Sequence, residues 1–141
     1  MTSFRWLDSM SVGVVDFDND HKNYFAALNA IEQALRDGTR DEALLLCRAF
    51  LELAIAHGRR EEEFLRQANY PRMDKIMDSQ VEAQATINGL LELIRSAPDD
   101  ALRRVVEMRH MVVTYLLDGD INYKSFVEAK PASTRPDRSA R

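Results

Sequence analysis

His57 and Glu61 stand four residues apart, a spacing that projects both side chains from one face of a helix. An imidazole and a carboxylate so placed can chelate one metal ion. The run before them, Leu51-Glu52-Leu53-Ala54-Ile55-Ala56, is otherwise apolar. The pair alone is unspecific, because His/Glu pairs at this spacing are common on solvated surfaces. Glu62 and Glu63 point elsewhere and read as solvated. The chain has three histidines, so only His21 and His110 remain. His21 falls within about the first turn of a predicted helix, and His110 reads as a surface or helix-packing residue. The single cysteine, Cys47, allows no intrachain disulfide. It follows Leu44-Leu45-Leu46 with no cationic or redox-motif setting, so it reads as a small buried hydrophobe.

These residues need helices to hold them. Asp18 can cap a first helix over about 19–36, in which Phe25, Leu28, Ile31 and Leu35 recur at three- and four-residue steps. Gly38 ends it. Thr39 and Glu42 have the spacing of a capping box for a second helix reaching about Gln67. Pro71 suits the first turn of a third, whose core-compatible face is Ile76, Gln80, Ala83, Ile87, Leu90, Leu91 and Ile94. Pro98 stops that helix. Asp99 or Asp100 then caps a fourth carrying Leu102, Val105, Val106, Met108, Val112, Leu116 and Leu117. Gly119 disturbs it, and a short segment through Tyr123 and Phe126 follows. Before all of these, residues 1–17 form an irregular arm too apolar for a free tail, with Trp6, Met10, Val12, Val14, Val15 and Phe17.

No strand pattern competes. The expected fold is all-α: an antiparallel up-down four-helix bundle over 1–129, with an irregular N-terminal arm and a short C-terminal helical segment. Residues 130–141, KPASTRPDRSAR, lack apolar side chains large enough to pack and are expected to be disordered. Of 141 residues, 45% are hydrophobic and 30% charged, which excludes wholesale disorder. A formal net charge of -4 gives no basic excess for nucleic acid. No apolar run approaches the ~20 residues that span a bilayer. The N-terminus has no charged-then-apolar signal pattern, so a cytoplasmic location is expected.

Several motifs now join in order. Trp6, Ser11-Val12-Gly13-Val14 and Asp18-Asn19-Asp20-His21-Lys22 resemble the arm and first helix of bacterial hemerythrins. His57 with Glu61-Glu62 resembles their H-F-x-x-E-E helix. Tyr70-Pro71 resembles their G-Y-P link, with Asn69 for the glycine, and Asp120-x-x-Tyr123 resembles their D-x-x-Y ending. The resemblance covers about residues 6–126. It implies a four-helix bundle around two irons held by five histidines and two bridging carboxylates. Carried over residue by residue, it places metal ligands on His21, His57, Glu61 and Asp120. The other three ligand positions fall on Ile76, Gln80 and Tyr115, and a tryptophan position falls on Met111. Gly58 stands in place of a phenylalanine and is expected to open space near the site.

The three departures all belong to one iron, while the retained residues serve the oxygen-binding iron and the two bridges. This pattern implies a remodelled half-site with one non-haem iron. Two imidazoles with carboxylates and open positions suit ferrous iron, and manganese or zinc fit the same ligand types. Two carboxylates left together in a poor dielectric would be unfavourable, which is a reason to expect a cation. Ile76 cannot ligate. Gln80 and Tyr115 are expected to fill the second pocket and to donate hydrogen bonds to Glu61 and Asp120 rather than bind metal.

The function implied is binding or sensing of dioxygen, nitric oxide or a similar small ligand. Oxygen carriage is not implied, since in that family each of two irons gives one electron to dioxygen. Two alternatives stand beside it: a mononuclear iron enzyme activating dioxygen or peroxide, and a metal-free structural or interaction bundle. A substrate cavity in place of the second iron would favour the enzyme.

Overall fold

The computed structural model describes residues 5–117 and 123–129. Four long helices dominate it: α1 (Val15–Arg36), α2 (Arg40–Gln67), α3 (Met73–Ser96) and α4 (Pro98–Leu117). A short α5 (Lys124–Ala129) follows, and a single 3-10 turn, Asp8–Met10, precedes α1. The long helices form a bundle in which α1 and α3 each pack on both α2 and α4. Among the described residues there is no strand, and no helix is long and apolar enough to cross a membrane.

Two apolar layers fill the interior. One is built from Leu28, Ile31, Cys47, Phe50, Ile87, Leu90, Val105 and Met108 with their neighbours. The other joins the arm residues Met10, Val12 and Val14 to Phe17, Phe25, Leu65, Tyr70, Ile76, Leu116, Tyr123 and Val127. The arm is therefore core, as its composition predicts. Burial at roughly 25 cal/mol per Å² of apolar surface makes these layers the main source of stability. Between them, on α1 and α2, lies a thin buried polar stratum containing Asp20, His21, His57 and Glu61.

Several local expectations need correction. α1 begins at Val15, so Asp18 lies inside the helix and is not its cap. Its carboxylate instead accepts from Ser11 Oγ (2.5 Å) and the Val12 amide (2.8 Å), tying the arm to the helix. Thr39 occupies the N-cap position of α2 but makes no side-chain cap bond. Its hydroxyl donates back to the Ala34 carbonyl (3.0 Å), the last turn of α1 competing successfully for it. Pro71 precedes α3, which starts at Met73. Pro98 is the first residue of α4, where a missing N–H is harmless, so neither Asp99 nor Asp100 caps it. Ala83, Val106 and Leu117 face outward rather than into the core.

Two turns follow sequence logic closely. Gly38 takes φ +78° between α1 and α2, a conformation that glycine adopts without a Cβ penalty. Asn69 has φ +57° before Tyr70, and asparagine is among the few other residues that tolerate it. The asparagine thus does the conformational work of the glycine in the link it resembles. His110 is exposed and Cys47 is fully buried, both as expected. Gly119, Asp120 and the expected disordered tail over 130–141 lie outside the described residues.

Candidate metal centre

One turn of α1 and one turn of α2 build the polar stratum. Asp20 and His21 are adjacent on α1, with Tyr24 one turn on. His57, Gly58 and Glu61 follow along α2. The rings of His21 and His57 meet edge to face at 4.8 Å. Tyr24 packs on both, at 5.5 and 5.7 Å, and Phe17 closes over His57 at 5.2 Å. Three of the four expected ligands, His21, His57 and Glu61, are therefore neighbours in the interior. Asp120, the fourth, lies outside the described residues.

His57 is held from both sides. Its Nδ1 lies 2.9 Å from Asp20 Oδ2, and its Nε2 lies 3.5 Å from Glu61 Oε2. Burial alone would push the imidazole down, but bonds to Asp20 and Glu61 outweigh it and raise its pKa to about 9. Asp20 Oδ2 also accepts from Arg60 (2.7 Å). Burial works against the Asp20 carboxylate, yet His57 and Arg60 together hold its pKa low. The Asp20–His57 contact was not visible in motif terms, although Asp20 stands directly before His21 in the sequence. It is the carboxylate–imidazole arrangement that fixes a ring's orientation for metal binding.

Glu61 is satisfied at both oxygens. Oε1 accepts from Gln80 Nε2 (3.1 Å), which also donates to the Gly58 carbonyl (2.9 Å). Oε2 accepts from Tyr123 (2.6 Å). Burial would raise the Glu61 pKa, but the bonds from His57, Tyr123 and Gln80 lower it. The Gln80 bond is the one expected. Tyr123 was not singled out as a donor, and the D-x-x-Y spacing was the available signal. Its phenol is driven well up by burial and by Glu61, so it stays protonated. Tyr115 is likewise raised, chiefly by burial and then by Glu61.

His21 differs from its neighbour. Its Nδ1 is buried with no hydrogen-bond partner among the described residues. Burial and the nearby His57 charge depress its pKa to about 3, so the ring is neutral. A buried unpaired polar atom costs about 1–3 kcal/mol.

The second half of the site is only partly as expected. Ile76 is fully buried in the arm-side layer and carries no donor. Gln80 and Tyr115 do not fill the remaining space. They line a cavity of about 280 Å³ that His21, His57 and Glu61 also border. Small side chains explain it: Ala54, Ser79 and Ala83 border the gap. Among the described residues the carboxylates of Asp20 and Glu61 are matched by His57 and Arg60, while Asp120, the other carboxylate expected at the site, lies outside them.

Among the described residues, no three His, Cys, Asp or Glu side chains converge as a formed metal cluster. The donor set fits one ion better than two. His57 is oriented by Asp20, His21 has a spare nitrogen, and Glu61 is adjacent. On the other side Ile76 offers no donor atom, and Gln80 Oε1 and the Tyr115 hydroxyl stand where the resemblance has imidazoles. The chain matches no protein-family model and no curated protein.

Proposed function

We propose that this chain is a hemerythrin-like protein that holds a single non-haem iron and binds or senses a small ligand such as dioxygen or nitric oxide. His21, His57 and Glu61 would hold the ion together with Asp120, and manganese or zinc would suit the same donors. The ion would supply an open coordination position for the small ligand. The observation that carries the reading is His21: a buried imidazole whose Nδ1 has no hydrogen-bond partner among the described residues, packed 4.8 Å from the ring of His57. Asp20 on His57 Nδ1 supports it, because such a partner fixes the ring and raises its basicity as a ligand.

The same reading takes the bundle as antiparallel and up-down. Support comes from the order in which each helix meets the two layers. α1 runs from Phe17 in the arm-side layer to Ile31 in the other, and α2 from Cys47 back to Leu65. α3 then runs from Ile76 to Ile94, and α4 from Val105 to Leu116.

Metal analysis of protein purified without chelators tests the proposal. About one equivalent of iron per chain is expected, and His57→Ala should abolish it while Cys47→Ser keeps it. Two irons per chain, or less than about a tenth of an equivalent of any transition metal, would overturn it.

A further inference from the structure

The cavity beside the polar stratum is larger than a diatomic ligand needs. Its volume of about 280 Å³ is roughly nine times the ~30 Å³ that one water takes in the liquid. That is room for roughly eight to ten non-hydrogen atoms. It lies at the small end of organic-ligand pockets, which begin near about 300 Å³.

The walls are uneven in character. α2, α3 and α4 supply an inner apolar surface from Phe50, Ala54, Ile87 and Met108, all buried. Polar side chains also line it, from His21, Tyr24, Gln80 and Tyr115, with the Tyr24 ring packed 5.5 Å from that of Phe50. The mouth lies between α3 and α4, where Ala83 is exposed and Met111 is 48% exposed. An apolar inner wall favours an occupant that does not need to hydrogen-bond there.

Charge narrows the class further. Among the described residues no lysine or arginine lines the cavity; its cationic His57 is already held by Asp20 and Glu61, so an anion would meet a neutralised pair and the exposed Glu82 carboxylate. A cation would gain little, since Glu61 already faces His57 and accepts from Tyr123 and Gln80. We propose that this cavity binds a small uncharged organic molecule of about cresol size, its apolar body against Ala54, Ile87 and Met108 and any hydroxyl or carbonyl toward Gln80 or Tyr115. The assignment extends the proposed site to a ligand class larger than a diatomic. Its walls are protein side chains, so it stands without the ion.

The test uses the full chain as purified, with metal content counted on the same sample. Toluene, p-cresol, benzoate and benzylamine are titrated while the methyl signals of Ala54, Ile87 and Met108 are followed by NMR. The two neutral probes should shift these signals saturably, and the two charged ones should bind at least about tenfold more weakly. Met111→Trp and Ala83→Leu enlarge exposed residues at the mouth, so the fold should be kept while p-cresol binding weakens at least about fivefold. Absence of saturable shifts with both neutral probes overturns the assignment. So does equal or tighter binding of a charged probe, or wild-type binding by both mouth variants. A sample without metal that still binds p-cresol overturns the one-ion reading and leaves the cavity assignment standing. A sample with one metal and no probe binding does the reverse.

Discussion

The carboxamide of Gln80 lies in the space that a side chain at Gly58 would take. A Cβ built on Gly58 would come within 2.9 Å of Gln80 Oε1 and 3.0 Å of its Cδ. From that position Nε2 reaches both the Gly58 carbonyl and Glu61. The mid-helix glycine and the glutamine are thus one device, in which the glycine makes room and the glutamine steadies the carboxylate. The expected opening at Gly58 exists, but Gln80 uses it.

Gly58→Ala should separate helix stability from site order. Alanine gains up to about 1 kcal/mol of helix propensity over glycine. The obstructing atoms are the end of a flexible side chain, so Gln80 can swing away cheaply, losing its bond to Glu61. We expect a melting temperature unchanged or a few degrees higher, with the Gln80 side-chain amide signals moved to those of a solvated glutamine. A large drop in melting temperature, or unchanged Gln80 signals, would show that the two residues are not coupled this way.

Asp20→Asn tests the orientation of His57. The substitution keeps the shape and one acceptor but removes the charge that Arg60 and His57 share. On the one-ion reading, metal affinity should fall about 10–100-fold while the helical content stays intact. Competition against a chromogenic chelator measures this. Wild-type affinity in the variant would mean that Asp20 serves Arg60 and the fold only.

How much of this could be read beforehand divides along physical lines. Four helices were legible because apolar residues recur at helical spacing over long spans, and tertiary packing agrees with that period. Their starts were less so. Asp18 and Thr39 have the right side chains for caps, but the arm and the last turn of α1 offer those side chains better partners. His21, His57 and Glu61 came together because ordered motifs fixed their helices and register. Asp20 and Tyr123 were missed because their importance is a cross-helix contact, which no local spacing encodes. The cavity was missed for a similar reason: packing was inferred position by position, whereas a void is a property of Ala54, Ser79 and Ala83 jointly.

Cys47 should be inert in the folded chain. Its Sγ is fully buried, lies 3.8 Å from the Ile87 carbonyl, and has its pKa pushed up to about 12, mainly by burial. Both access and thiolate fraction oppose reaction. An aromatic disulfide reagent near pH 8 should modify the native protein at least about a hundredfold more slowly than the urea-unfolded chain. Rapid stoichiometric modification under native conditions would place Cys47 at an opening of the bundle.

The acid sensitivity of the fold should owe part of its size to Glu32. This buried α1 carboxylate accepts from Arg36 (2.9 Å) on its own helix and from Arg109 across the bundle on α4. Burial alone would raise its pKa above the ordinary 4.5, but the bonds from Arg109 and Arg36 outweigh burial and lower it. A carboxyl lowered on folding stabilises the native state fully above its unfolded pKa, and that contribution disappears as pH falls through the folded value. Arg109→Met keeps the aliphatic stem but removes the cross-bundle donor, and should cost about 2 kcal/mol near neutral pH. That corresponds to a melting temperature lower by roughly 4–8 °C. A difference between wild type and variant that stays constant as pH falls through the folded value would assign the loss to packing of the arginine stem instead of its bond to Glu32.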